Sequence, residues 1–192
     1  NATHVWHDEI AAKLATGIHV DTALAHFDRL MKNPSGDMFW MYPYIGACLY
    51  GQDRLPDSLK RQAREVWRTF TPYRGDTENH WVMYYTSLYL AAQTWPGEDG
   101  SQWYNGKSSE ENFKDGEGWL NHWMKITTTI GQGEFDSPGY ASFYLVSMFL
   151  LYEFAKDPVM KQKAEMMIDY LLADFAVEYL KGNFCGGHSR DY

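Results

Sequence analysis

Apolar residues recur along this chain at helical rather than strand spacing, and the pattern predicts eight helices. The first covers about 4–15. The second, 19–32, "HVDTALAHFDRLMK", is closed by Asn33-Pro34. The third spans 37–50, with Pro43 as an expected kink. The fourth, 57–70, carries the stripe Leu59, Ala63, Val66, Trp67, Phe70. The fifth, 78–94, ends at Trp95-Pro96-Gly97, and a polar loop follows over 96–113. The sixth covers 115–129. The seventh, 138–155, begins at Ser137-Pro138, an N-cap followed by proline in the first turn. The eighth, 159–180, stops at Lys181-Gly182.

The helices fall into two classes. "WVMYYTSLYLAA" in the fifth and "YASFYLVSMFLLYEFA" in the seventh are apolar nearly all round, as is the third. Such helices are expected to be buried on every side. The second, fourth and eighth carry a charged face, as in "LKRQAREVWRTF". Buried inner helices backed by amphipathic outer ones suit αα-hairpins arranged in a toroid, whereas a four-helix bundle needs no second class. The expected fold is therefore all-α, a partial (α/α) toroid formed by one helical domain over 1–192. Eight helices would give only an open arc, so part of a larger chain, or a further domain, is expected to complete it.

Short connections make successive helices antiparallel. The third, fifth and seventh then start at one rim, and the end of the eighth returns there. Four polar stretches meet at that rim: 37–44, with Trp40 and Tyr42; "TENH", 77–80; "GEFDSPGY", 133–140; and "GGHSRDY", 186–192.

Thr77 is expected to cap the fifth helix, with Glu78, Asn79 and His80 in its first turn. Unpaired N–H groups there favour an anion such as a substrate carboxylate, and they disfavour imidazolium, leaving His80 neutral and basic. Glu78 also reads simply as a residue that suits the helix dipole. Tyr140 opens the seventh helix at the same rim. Glu134 and Asp136 flank its loop, as caps, saccharide hydrogen-bonders, metal ligands or acids. Arg190 reads as a bidentate carboxylate clamp or as a surface ion pair. His188 follows a double glycine, and Arg74 lies in the turn before the fifth helix.

Composition narrows the ligand. Aromatic residues make up 17 % of the chain, which fits a ring-lined saccharide groove as well as a filled core. A net charge of −8 argues against nucleic acid as partner. No apolar run reaches membrane-spanning length. No signal-peptide pattern opens the sequence. Cys48 and Cys185 lack any zinc or redox spacing, and Glu78, His80, Asp136 and His188 lack a metal-binding one, so neither metal nor cofactor is expected.

"TENHWVMYYTSLYLAAQTWP", "GEFDSPGYASFYL" and "GGHSRDY", about a fifth of the chain, resemble the (α/α)-toroid carbohydrate-active enzymes, which include polysaccharide lyases and glycoside hydrolases. Asn79-His80 followed some sixty residues later by Tyr140 is similar to the Asn/His/Tyr/Arg set of alginate- and chondroitin-type lyases. The resemblance implies β-elimination on a uronic-acid polymer by a secreted or periplasmic enzyme. Asn79 and Arg190 would neutralise the carboxylate, His80 or an ionised Tyr140 would take the C5 proton, and Tyr140 would protonate the leaving oxygen. Trp40, Tyr42, Arg74, Glu78, Glu134, Asp136 and His188 would bind substrate. The arginine that one such family places just before its tyrosine is absent. Two other readings stand beside this one: a toroid glycoside hydrolase using Glu78 with Glu134 or Asp136, and a non-catalytic carbohydrate-binding domain.

Overall fold

The computed structural model describes residues 2–189, with side chains from Asp8 onward. Its helices are α1 (Ala2–Thr16), α2 (Val20–Lys32), α3 (Met38–Tyr50), α4 (Asp57–Thr69), α5 (Glu78–Thr94), α6 (Ser109–Ile130), α7 (Pro138–Phe154) and α8 (Pro158–Val177). A two-stranded antiparallel hairpin follows, β1 (Tyr179–Leu180) with β2 (Asn183–Phe184). The fold is all-α apart from that hairpin.

The helices pack in two layers. α3 touches α1, α5 and α7, while α5 lies between α3, α6 and α7. α2 backs α1 and α4, and α8 backs α7 and α6. α4 joins α3 through Tyr44, whose hydroxyl donates to the Ala63 carbonyl and whose ring stacks near Trp67. The inner helices run parallel. At one end Phe39 of α3 meets His80 of α5 at 5.2 Å and Phe143 of α7 at 4.9 Å between ring centroids. At the other end Gln93 of α5 donates to the Phe154 carbonyl at 2.6 Å, and Tyr50 of α3 packs edge-on to Phe154 at 4.7 Å. Short connections force this direction, because each return stroke is made by an outer helix.

α3 is buried at every position except Phe39 and Tyr50, and it runs through Pro43 without ending. α5 is buried from Val82 to Gln93 at every position except Tyr85. α7 departs from expectation. Its inward residues include Tyr144, Met148 and Leu151, but Val146, Phe149 and Tyr152 face outward. α7 touches α3, α5 and α8, and the stripe Val146, Phe149 and Tyr152 is left uncovered between them.

Two boundaries also differ. α6 starts at Ser109, six residues before the predicted start. Ser108 caps it, accepting from the Glu111 N–H while Glu111 reaches back to the Ser108 N–H, a capping box. Gly116 and Gly118 mask this start in the sequence. Gly116 has a packing role: a Cβ there would lie 3.1 Å from the Tyr89 backbone, so its absence lets α6 approach α5. α8 ends three residues early, because Lys181 and Gly182 both take positive φ (51° and 91°) and turn the chain into the hairpin.

The connection 95–108 contains a short 3-10 turn, Gly100–Gln102. Arg64 holds it. The guanidinium lies over Trp95 at 5.1 Å and Trp103 at 4.6 Å, pairs with Glu98 and donates to the Gln102 carbonyl at 2.6 Å.

Candidate functional site

The rim is built where the N-terminal ends of α3, α5 and α7 meet. Asp37 caps α3, accepting from the Phe39 N–H at 3.0 Å, and a parallel bridge joins Asp37 to Tyr73. That bridge brings the turn before α5 alongside the start of α3. The tail returns to the same place, with the Ser189 N–H donating to the Phe135 carbonyl at 2.9 Å. All four sequence stretches are therefore adjacent through their described residues. Arg190 lies outside the described residues.

The first turn of α5 differs from the expected open anion site. Thr77 sits at the N-cap position, but its hydroxyl donates to Asn79 Oδ1 instead of accepting a backbone N–H. The same Oδ1 accepts the His80 N–H at 2.8 Å, and the Trp81 N–H reaches the Thr77 carbonyl. The Asn79 N–H donates to Glu134 Oε2 at 2.8 Å. The positive helix end already holds an anion, and it is the protein's own Glu134.

Glu78 and Glu134 form a reciprocal clasp. Glu78 Oε2 accepts the Glu134 N–H at 2.7 Å, while Glu134 accepts from the residue after Glu78. Glu78 Oε1 accepts the Trp123 indole N–H at 2.8 Å. The Tyr144 hydroxyl lies 2.9 Å from Glu134 Oε2 and 3.4 Å from Glu78 Oε2. Burial, with the two carboxylates beside it, drives the Tyr144 pKa well above the ordinary phenol value, so Tyr144 is a permanent donor here. Gly133 leaves room for the clasp, since a Cβ there would sit 3.1 Å from Glu78 Oε2. These bonds pin the 131–137 loop to α5. Donors from the protein thus already engage both of the carboxylates that the sequence offered as substrate binders or as a hydrolase pair.

Asn79 Nδ2, His80 Nδ1 and Ser137 Oγ are buried polar atoms of this rim that make no hydrogen bond. Asn79 is 1 % exposed, and its Nδ2 makes no hydrogen bond. His80 is half-buried, with a buried Nδ1 that likewise has none. Its ring is seated edge-on to Phe39 and over Gly75, where a Cβ would fall 2.1 Å from Nδ1. Gly75 has a φ of +75°, which suits glycine, and the empty space above it is where the imidazole rests.

Tyr140 packs 6.1 Å from Phe143, the ring that also touches Phe39. An aromatic path thus runs from His80 through Phe39 and Phe143 to Tyr140. Phe143 also meets Tyr42 at 6.0 Å. Tyr42 lines a cleft of about 370 Å³ between α1, α3 and α7, with Asp8, Gly46, Tyr50 and Leu150. Burial, and secondarily Asp8, raises the Tyr42 pKa. Trp40 is a correction. It is 2 % exposed, stacked 4.8 Å from Tyr44 and set against Phe70 at 5.3 Å, so it belongs to the core and not to a ligand surface.

Asp136 sits in the left-handed region (φ 44°) and is 5 % exposed. Its pKa is raised to about 6, first by burial, then by the hydrogen-bonded carboxylate of Asp174, then by Glu178; the nearby His188 acts in the opposite direction. His188 Nδ1 lies 2.9 Å from the Gly186 carbonyl, and its ring meets Phe184 at 5.5 Å. Tyr144, Trp123 and Asp174 are site residues that the sequence reading missed. The i, i+4 spacing of Tyr140 with Tyr144, and of Trp119 with Trp123, was the available signal for the first two.

No group of His, Cys, Asp and Glu side chains suited to a metal ion occurs among the described residues. Cys48 is buried, Cys185 is exposed, and both are free thiols. Among the described residues no helix is long and apolar enough to cross a membrane. No family model, curated protein or solved structure matches the chain.

Proposed function

We propose that this chain cleaves an acidic polysaccharide by β-elimination, on the partial toroid inferred from its two helix layers. The reading is carried by one observation: the starts of α3, α5 and α7 converge where Asn79 Nδ2 and His80 Nδ1 have no protein partner. A buried amide or imidazole nitrogen without a partner is costly, and a substrate oxygen that reached it on opening of the rim would offset that cost. With Glu134 already on the backbone donors, neutralising a uronate carboxylate falls to Asn79 Nδ2 and Arg190. His80 accepts the C5 proton. Tyr140, one aromatic contact beyond Phe143, protonates the leaving glycosidic oxygen.

The test is ultraviolet absorbance of the unsaturated product end after incubation with uronate polymers. His80→Ala and Tyr140→Phe are each expected to lower the rate by about 10²-fold or more, with helicity unchanged. Full rate in both variants would remove this site from the reaction.

One observation favours a second reading, glycoside hydrolysis. Asp136 stays protonated up to about pH 6, as a general acid requires. New reducing ends on a neutral glycan, without absorbance, would select it. Binding of either glycan without turnover would select the non-catalytic reading.

A further inference from the structure

Among the described residues two arginines lie on aromatic platforms, and their surroundings differ. Arg64, between Trp95 and Trp103, spends its charge on Glu98 and its remaining reach on the Gln102 carbonyl. It is a structural cation. Arg74 has the same kind of floor without the counter-ion. Its guanidinium lies 5.0 Å above the Trp81 ring, and one Nη reaches the Tyr85 hydroxyl at 3.4 Å. Among the described residues Arg74 forms no ion pair, and it is exposed.

The floor beneath Arg74 is rigid. The Trp81 indole donates to the Gly75 carbonyl at 2.9 Å and meets Trp119 edge-on at 6.0 Å. Tyr85 stacks on Trp119 at 4.8 Å with 14° between planes, and Trp119 lies parallel to the clasp residue Trp123 at 6.4 Å. Trp81, Tyr85 and Trp119 are each only half-buried, so ring surface remains open beside the cation. A planar cation next to open ring faces matches an acidic sugar. Such a sugar presents a carboxylate for two parallel N–H donors and C–H faces for stacking. The turn that carries Arg74 also carries Gly75, which seats His80, so this platform begins where the proposed reactive rim ends.

We infer that Arg74, with the Trp81, Tyr85 and Trp119 rings, forms a subsite that binds one uronate residue of a glycan. It rests on the proposed substrate class, and it holds or fails by binding rather than by turnover. Because the carboxylate meets an exposed cation, affinity falls as salt rises.

The experiment is calorimetric titration of an oligoglucuronate and its carboxyl-reduced, neutral counterpart, with indole N–H signals followed by NMR. The wild-type chain is expected to bind the acidic oligomer at least about tenfold more tightly than the neutral one, the scale of one charge-assisted bidentate contact. Arg74→Ala is expected to lower affinity for the acidic oligomer about tenfold and to leave that for the neutral one unchanged. Arg74→Lys, which keeps the charge and loses the planar fork, should retain only part of the preference. Shifts in the Trp81 and Trp119 indole signals should report the contact. Wild-type affinity in both arginine variants, or no binding of the acidic oligomer by the wild-type chain, would overturn the inference. His80→Ala separates the two claims: the preference set by Arg74 for the acidic over the neutral oligomer should persist in it even where overall affinity and cleavage fall. Binding governed by Arg74 without any cleavage would end the lyase reading and leave the subsite standing. Cleavage with a KM unmoved by Arg74→Ala would do the reverse.

Discussion

α5 and α7 are both seventeen residues long, both nearly free of charge, and in very different surroundings. α5 is flanked by α3, α6 and α7, and its length from Val82 onward is core. α7 has the same composition, yet Val146, Phe149 and Tyr152 are 37 %, 47 % and 42 % exposed. Hydropathy reports how much a helix gains from being covered. Whether it is covered depends on where its neighbours stand around it, a property of the assembly and not of the segment.

Four measurements would break or sharpen that contrast. The largest effect is expected on α5. Leu88→Ala, at a position 1 % exposed, should cost about 3 kcal/mol in urea unfolding, from lost transfer energy and the cavity left behind. A loss below about 1 kcal/mol would mean that α5 is not enclosed as described. Next comes the inward face of α7. Tyr144→Phe removes the donor shared with Glu134 and Glu78 and should cost about 2 kcal/mol; a neutral result would show that the clasp holds without it.

The third concerns pH at the entry to α7. The Asp136 pKa is raised on folding, so the folded state holds its proton more tightly than the unfolded chain. That contribution is complete below about pH 4 and is lost as pH rises through about 6. Stability should fall across this window by at most about 1 kcal/mol, allowing for solvent screening, and Asp174→Asn should flatten the fall. A profile unchanged by that variant would remove Asp174 as a contributor and leave burial and Glu178. The smallest effect is on the outer face of α7. Phe149→Ser should change stability by less than about 0.5 kcal/mol, and a cost near that of Leu88→Ala would mean this face is covered.

Much of the architecture was legible in the chain. α5 was bounded by Thr77 and by Trp95-Pro96-Gly97, punctuation that acts locally and that the fold respects. The meeting of four polar stretches followed from short connections alone. α6 was shortened in prediction because 96–113 reads as a polar loop, and Gly116, inside the helix, serves to admit the Tyr89 backbone. The state of the carboxylates was not legible at all. Glu78 and Glu134 satisfy each other's neighbourhoods across fifty-six positions, and no local pattern records such a pairing. Asp174 lies on a charged outer helix where an acid looks like ordinary surface, and only the fold brings Asp136 against it. Trp40 misled by composition: an aromatic near a rim is as useful to the core as to a ligand, and here the core holds it.

The seat of His80 has a consequence of its own. Nothing covalent fixes that imidazole in place; it rests in the space left by a missing methyl group at Gly75. Alanine there would evict the ring while Thr77, Asn79 and the rest of α5 keep their bonds. The orientation of an α5 side chain is thus decided by one backbone position outside that helix.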